Sequence, residues 1–93
     1  MRGSIEFNEE KNILLKKSRG VSFEDVLKYI EKGYLLDNIP HPNKKYRSQR
    51  ILVVKIKSYA YAVPYVLDEK GNIFLKTVFP SRALTKTYLK KTI

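Results

Sequence analysis

The apolar residues in the first third of the chain recur with the period of an α-helix. In the stretch VSFEDVLKYIEKG they occupy i, i+3, i+4 and i+7, at Phe23, Val26, Leu27 and Ile30. Ser22 precedes this stripe as an N-cap, with Asp25 three residues on as in a capping box, and Gly33 ends the helix. The pattern predicts an amphipathic helix whose apolar side packs on a core.

An earlier helix is predicted for the stretch FNEEKNILLKK. Asn8 is its N-cap. Glu9 and Glu10 occupy the first turn, where carboxylates favour the positive end of the helix dipole, and Gly20 ends the helix. Both helices are interpreted as scaffold, because apolar stripes of this kind usually pack in a core.

Beyond Gly33 the apolar pattern is typical of strands. We predict strands at residues 34–39, 50–57, 60–67 and 73–79. Pro64 has no N–H to donate to the hydrogen-bond ladder of a sheet, so we expect its strand to lie at a sheet edge or to contain a bulge. Gly71 supplies positive φ for a hairpin loop between the last two strands.

A third helix, capped by Ser81, is predicted over residues 82–91. Its two sides differ in chemistry, with Leu84 and Tyr88 on the buried side and Arg82, Lys86 and Lys90 on the opposite side. The fold class is therefore α+β, with two N-terminal helices, a mostly antiparallel sheet of three to four strands and a C-terminal helix. The 93 residues are expected to form one domain, 1–93, and the opening MRGS is consistent with a vector-derived leader.

Composition narrows the compartment and the class of protein. The hydrophobic fraction, 43%, is near the globular average. The chain has no cysteine, which excludes disulfide scaffolds, zinc ribbons and thiol nucleophiles and fits a reducing cytoplasm. No apolar run approaches the roughly 18 residues of a membrane helix, so we expect a cytoplasmic protein without a membrane partner.

The net charge of +10 is confined to one part of the chain. Residues 1–37 carry seven basic and seven acidic side chains, whereas residues 38–93 carry twelve basic and two acidic ones. A region of one sign attracts polyanions, and phosphate backbones are the commonest such partner. A basic surface without any partner, or one that binds an acidic protein, is the alternative interpretation.

Metal and cofactor chemistry is not expected. The chain has a single histidine, His41, and Asp37 four residues earlier is separated from it by Pro40, so the two do not share a helix face. No glycine-rich phosphate loop of the Walker or Rossmann kind is present. A serine triad lacks its acid–histidine pair.

Basic residues interleaved with tyrosines remain as the candidate binding surface. Such groups hold phosphates and stack unpaired bases, which suits single-stranded RNA. The candidate nucleic-acid contacts are Lys44, Lys45, Arg47, Lys55, Lys57, Lys86 and Lys90. The alternatives are an exposed loop tip for the lysine pair and half-buried strand packing for most of the tyrosines.

Three stretches together resemble the BrnT-type toxins. They are IEFNEEKNILLKKSRGVSFEDV from Ile5, QRILVVKI from Gln49 and FLKTVFPSRALTKTYLKK from Phe74. The resemblance implies a RelE-like fold, a ribonuclease that arrests translation and neutralisation by an antitoxin with a DNA-binding domain. It also implies that Arg50 and Arg82 correspond to functional arginines of that family. Two positions depart from the family pattern, since Arg19 replaces a histidine and Thr77 replaces an arginine.

The resulting hypothesis is a toxin of a type II toxin–antitoxin pair that cleaves mRNA without a metal or cofactor. Arg50 and Arg82 are expected to converge and clamp the scissile phosphate, because a guanidinium binds two phosphate oxygens and stays charged. Proton transfer is assigned to Lys76, Tyr46 or Tyr88. The alternatives are a non-catalytic RNA- or DNA-binding module and an interaction domain for an acidic protein.

Overall fold

A computed structural model describes residues 4–90, so residues 1–3 of the predicted leader MRGS, and Lys91 of the predicted last helix, lie outside the described residues. The architecture is α+β, with three helices and a mixed sheet of six strands. The helices are α1 (Glu9–Arg19), α2 (Phe23–Glu31) and α3 (Arg82–Leu89). The strands are β1 (Ile5–Phe7), β2 (Leu35–Pro40), β3 (Arg50–Ile56), β4 (Tyr59–Leu67), β5 (Ile73–Leu75) and β6 (Phe79–Pro80).

The helix boundaries follow the caps that the sequence predicts. Asn8 Oδ1 accepts a hydrogen bond from the Lys11 N–H at 2.9 Å, and Gly20 ends α1 with φ 74°. Ser22 and Asp25 form both bonds of the capping box at the start of α2. These local predictions are confirmed.

The sheet has more strands than the three to four predicted, and one pair is parallel. Its order is β1-β5-β4-β3-β2, with β6 paired to β4 beside β5. β1 runs parallel to β5, with Phe7 opposite Leu75, and the other pairs are antiparallel. The parallel pair joins residues almost seventy positions apart, so the short stretch IEF gave no local sign of it.

Pro64 marks a break in the sheet. The predicted strand at residues 73–79 is interrupted, because β5 ends at Leu75 and β6 begins at Phe79. The Pro64 carbonyl accepts a hydrogen bond from the Lys76 N–H at 2.8 Å. The N and the C=O of one strand residue point towards the same neighbouring strand, so the Pro64 nitrogen, which carries no hydrogen, faces the gap between β5 and β6. Pro64 is therefore tolerated in a central strand, and the prediction of an edge position for it is wrong.

The sheet carries a core on each face. α1 and α2 cover one face through Leu15, Phe23 and Val26, which pack with Leu52, Val54, Val63 and Leu75. α3 covers part of the other face, where Leu84 and Tyr88 pack against the cluster of Ile51, Val53, Ala60 and Ala62. Successive residues of a strand point to opposite faces, so the buried run of β3 supplies both cores.

Several predicted ends move by a residue or two, including those of β2 and the start of β4. Strand β3 ends at Ile56, and Lys57 lies in the turn with φ 59°. The last helix begins after the predicted cap, Ser81, which accepts from the Leu84 N–H at 3.1 Å, but it ends at Leu89 rather than at residue 91. No helix among residues 4–90 has the length and apolar character needed to cross a membrane.

Candidate functional site

The gap between β5 and β6 opens into a cavity on the α3 side of the sheet. Pro64 pairs with Ile51, which belongs to the core beneath α3, and so it faces the same side. The cavity has a volume of about 310 Å³. Its polar lining consists of Lys11, His41, Tyr46, Gln49, Lys76 and Thr77.

A short turn after β2 holds the histidine in this cavity. The His41 N–H bonds the Gln49 carbonyl at 3.4 Å, which extends the ladder between β2 and β3 by one residue. The Asn43 N–H donates to His41 Nδ1 at 3.1 Å, and Asn43 Oδ1 accepts from the Lys45 N–H at 3.0 Å. Because Nδ1 accepts in this hydrogen-bond network, the neutral imidazole carries its proton on Nε2. The ring therefore presents Nε2 to a ligand.

Tyr46 adds an aromatic surface beside the imidazole. Its ring centroid lies 5.1 Å from that of His41, with the ring planes tilted by 45°. Tyr46 is 41% exposed, although most large apolar side chains are buried or half-buried. An exposed aromatic ring beside a hydrogen-bonding imidazole is suited to stacking an unpaired base.

Two lysines from distant parts of the chain supply the charge. The parallel pairing of β1 with β5 sets the start of α1 next to the end of β5, which brings Lys11 close to Lys76. The one ion pair within residues 4–90 joins Lys16 to Asp25, so neither cavity lysine is neutralised by a carboxylate. The Lys76 ammonium lies 5.5 Å from the centre of the Phe74 ring. Two unpaired ammonium groups at one cavity favour an anion.

Arg50 is held away from this cavity. Its Nε donates to Asn38 Oδ1 at 3.0 Å and its Nη2 donates to the Asn38 carbonyl at 2.9 Å. The Tyr65 hydroxyl donates to the same Asn38 oxygen at 3.0 Å. Arg50 alternates with Leu52 along β3 and so lies on the α1–α2 face, whereas the cavity lies on the α3 face.

Arg82 lies at the opposite end of strand β4. The preceding Ser81 donates its N–H to the Ala60 carbonyl at 3.0 Å, whereas Arg50 pairs with Tyr65. Five residues of strand correspond to roughly 17 Å. Because the two arginines also belong to different faces of the sheet, the expected convergence of Arg50 and Arg82 is wrong.

Tyr88 makes a hydrogen bond that opposes a role as a base. Its hydroxyl donates to Asp37 Oδ2 at 2.5 Å. This bond raises the pKa of Tyr88 and lowers the pKa of Asp37 below its usual value. The bond links α3 to β2, and Tyr88 does not line the cavity.

The other predicted nucleic-acid contacts are spread over several elements. Lys44 and Lys45 form a 3-10 turn with Tyr46, and Arg47 follows it, so these three flank the cavity in the chain. Lys55 places its ammonium 5.6 Å from the Tyr34 ring centre at the β2 edge. Lys57 lies in the β3–β4 turn, Lys86 in α3 and Lys90 just beyond it. The predicted contacts therefore do not form one continuous surface.

The sequence pattern does not point to two of the cavity residues, Lys11 and His41. Lys11 lies in a helix whose pattern predicts scaffold, and only the parallel β1–β5 pairing brings it to the site. A single histidine with Asp37 four residues earlier raises the question of a metal ligand alone. The signal that identifies it is its position at the end of a strand, before Pro42 and Asn43, where a turn fixes the ring.

Within residues 4–90 no three histidine, cysteine or acidic side chains gather in a way that suits a metal ion. The cavity is instead lined by an imidazole, a phenol and two ammonium groups. No protein-family model, curated protein or solved structure matches the chain. The interpretation of the site therefore depends on its own geometry.

Proposed function

We propose that this protein is a metal-independent endoribonuclease that cleaves mRNA at the cavity of His41, Tyr46, Lys11 and Lys76. The single observation that carries the proposal is their shared cavity at the gap between β5 and β6. Among the predicted catalytic residues, Lys76 and Tyr46 line it. The proposal does not use a clamp of Arg50 and Arg82.

The chemistry requires only groups that the cavity contains. The RNA 2′-oxygen attacks the adjacent phosphorus, forming a 2′,3′-cyclic phosphate, and the bond to the 5′-oxygen breaks. For this step His41 takes up a second proton at Nδ1, which releases the Asn43 N–H, and then gives the Nε2 proton to the departing 5′-oxygen. Lys76 as the neutral amine, or Tyr46 as the phenolate, receives the 2′-hydroxyl proton, and the Lys11 ammonium stabilises the charge on the phosphate. Tyr46→Phe and Lys76→Gln distinguish the two candidate bases.

The cellular role we propose is that of a toxin in a type II toxin–antitoxin pair. Two N-terminal helices on one face of a mainly antiparallel sheet, with a C-terminal helix on the other, are compatible with a RelE-like arrangement. The resemblance to BrnT-type toxins supports the same role. In this proposal the protein acts in the cytoplasm, where mRNA is translated, and a cognate antitoxin with a DNA-binding domain neutralises it.

Cleavage of a labelled single strand in excess EDTA tests the activity. We expect the wild-type protein to cut RNA and to leave DNA of the same sequence intact, since DNA has no 2′-hydroxyl. His41→Asn should lower the cleavage rate by about 10²- to 10⁴-fold, the usual contribution of acid–base catalysis. Arg50→Gln is the control because its guanidinium is bonded to Asn38 outside the cavity. Equal rates for wild type and His41→Asn would exclude the proposed site.

A non-catalytic RNA-binding module is the second candidate, favoured by the separation of Arg50 from Arg82. It predicts binding that weakens steeply with salt and no cut product at any protein concentration. The toxin role is tested separately by induced expression. Growth should stop with the wild-type gene, continue with His41→Asn and recover when the product of an adjacent small gene is co-expressed.

A further inference from the structure

A second cavity lies on the α1–α2 face, at the end of the sheet formed by the β3–β4 turn. It has a volume of about 280 Å³. Its side-chain lining includes Lys16, Arg19, Asp25, Tyr29, Lys57 and Tyr61. Tyr61 pairs with Val54 and so belongs to the α1–α2 face, whereas the ribonuclease cavity opens on the α3 face. The two cavities are therefore separate sites.

Arg19 is fixed in place before any ligand arrives. Its Nη1 donates to the Val78 carbonyl at 2.6 Å, which ties the end of α1 to the segment between β5 and β6. A guanidinium has five N–H donors, so this anchor leaves others for a ligand. Holding the planar fork reduces the conformational entropy lost on binding, and the fork matches two oxygens of a phosphate.

Lys57 contributes the second positive charge. It adopts φ 59° in the turn, a conformation in which glycine or asparagine would be easier to accommodate. The turn itself therefore does not explain a lysine. Lys16 and Asp25 form an ion pair of 3.0 Å and offset one another, so Arg19 and Lys57 leave the cavity with a net positive charge.

Two phenol rings complete the lining. Tyr29 and Tyr61 are both half-buried at the cavity, and Tyr61 is braced edge-on by Tyr59 at a centroid distance of 6.3 Å. A phosphate alone occupies only a fraction of about 280 Å³. Ring surfaces beside paired cations are the combination that binds a base and its phosphate together.

We propose that this cavity binds a nucleoside monophosphate, with its phosphate between Arg19 and Lys57 and its base against Tyr61 or Tyr29. The site is independent of the proposed ribonuclease activity, and its ligand need not be a product of that reaction. The assignment requires both parts of the ligand. Neither a bare phosphate nor an uncharged nucleoside satisfies the cations and the rings together.

Two-dimensional NMR of the amide groups tests the proposal with four probes. AMP is compared with ribose 5-phosphate, adenosine and inorganic phosphate, each titrated into the full chain. We expect AMP to shift the amide signals of Gly20, Val21 and Lys57 and to bind at least fivefold more tightly than each of the other probes. Equal affinity for AMP and inorganic phosphate, or no shift at these residues with millimolar AMP, would overturn the proposal.

Two variants then test the cations individually. Arg19→Gln and Lys57→Gly should each weaken AMP binding at least fivefold. Glycine readily adopts the positive φ of position 57, so Lys57→Gly is expected to keep the fold of the turn. Lys28→Gln is the matched control, because Lys28 is exposed on α2 and does not line the cavity. Unchanged AMP affinity in Lys57→Gly, or an equal loss in Lys28→Gln, would refute the site.

Discussion

The two faces of the sheet differ in how completely helices cover them. On one face α1 and α2 bury a large cluster in which Phe23 and Val26 have no exposed surface. On the other face α3 has eight residues and covers a smaller cluster, leaving the region around Pro64 to the cavity. We infer from this difference that the face under α1 and α2 contributes most of the stability of the fold, while the face under α3 leaves the Pro64 region open for the proposed cleavage site.

The same contrast applies to the charged groups. Arg50 has two hydrogen bonds to Asn38 and serves the structure, although an arginine at the start of a strand looked functional in the sequence. Lys11 and Lys76 have no carboxylate partner within residues 4–90. A cation that the fold leaves unpaired is better placed to meet a phosphate than one whose donors are already used.

The largest expected effect is on the stability of the well-covered face. Phe23→Ala should lower the free energy of unfolding by about 3–5 kcal/mol, because a fully buried ring is lost and a cavity remains. Phe23 also contacts the Phe7 ring at a centroid distance of 5.0 Å. Chemical denaturation measures the loss.

Leu84→Ala is the matched change on the other face. Leu84 is only half-buried, so its truncation should cost about 1–2 kcal/mol. Equal losses of stability for the two variants would contradict the proposed difference between the faces.

An intermediate effect is expected at Asn38. Asn38→Ala removes the acceptor of the buried Tyr65 hydroxyl and of Arg50 Nε, and should lower the free energy of unfolding by about 1–3 kcal/mol. RNA cleavage per folded molecule should stay the same. Asn38→Asp keeps an oxygen acceptor and should lose less stability than Asn38→Ala. A variant that keeps its stability but loses cleavage would assign Arg50 to the active site after all.

The smallest expected effect concerns the Tyr88–Asp37 bond. Because this bond lowers the pKa of Asp37, its stabilising contribution is present above the unfolded pKa of about 4 and is lost as the pH falls through the lower folded value. It also raises the pKa of Tyr88, so the contribution is lost again as the pH rises beyond about 10.

Tyr88→Phe should therefore reduce stability at neutral pH and flatten its dependence on pH at both extremes. Thermal melting from pH 2 to pH 11 measures this, with Tyr46→Phe as the control because no hydrogen bond joins its hydroxyl to a carboxylate within residues 4–90. Parallel pH profiles for Tyr88→Phe and wild type would show that the bond does not stabilise the fold.

Features set by near neighbours were predictable from the sequence. Asn8, Ser22 and Ser81 cap their helices as expected, because a cap involves residues within one helical turn. The α+β class follows equally from local periodicity. Pro64 predicts an edge strand or a bulge and not a gap between two strands, since the sequence of a strand does not say which strands pair with it.

The candidate site was less predictable because it depends on pairing over long distances. Ile51 to Val54 are all buried, so the usual alternation of polar and apolar residues did not reveal which face Arg50 occupies. Lys11 reaches Lys76 only through the parallel β1–β5 pair. The predicted residues Tyr46 and Lys76 do meet at the cavity, whereas Arg82 and Tyr88 follow α3 away from it.

Binding of a fluorescent single-stranded RNA is the most direct test of the claim that RNA meets the incompletely covered face. The double variant Lys11→Gln/Lys76→Gln is compared with Lys17→Gln/Lys28→Gln, which removes the same charge from exposed positions on α1 and α2. Both affinity and its dependence on salt are measured by anisotropy.

We expect the double variant Lys11→Gln/Lys76→Gln to bind RNA at least tenfold more weakly than the wild type at low salt. The slope of log K against log salt should fall by about 1.4, as for two lost phosphate contacts on a single strand. The double variant Lys17→Gln/Lys28→Gln should change the affinity and the salt slope much less. Equal losses in the two double variants would contradict the account, since RNA would then respond to total charge and not to this cavity.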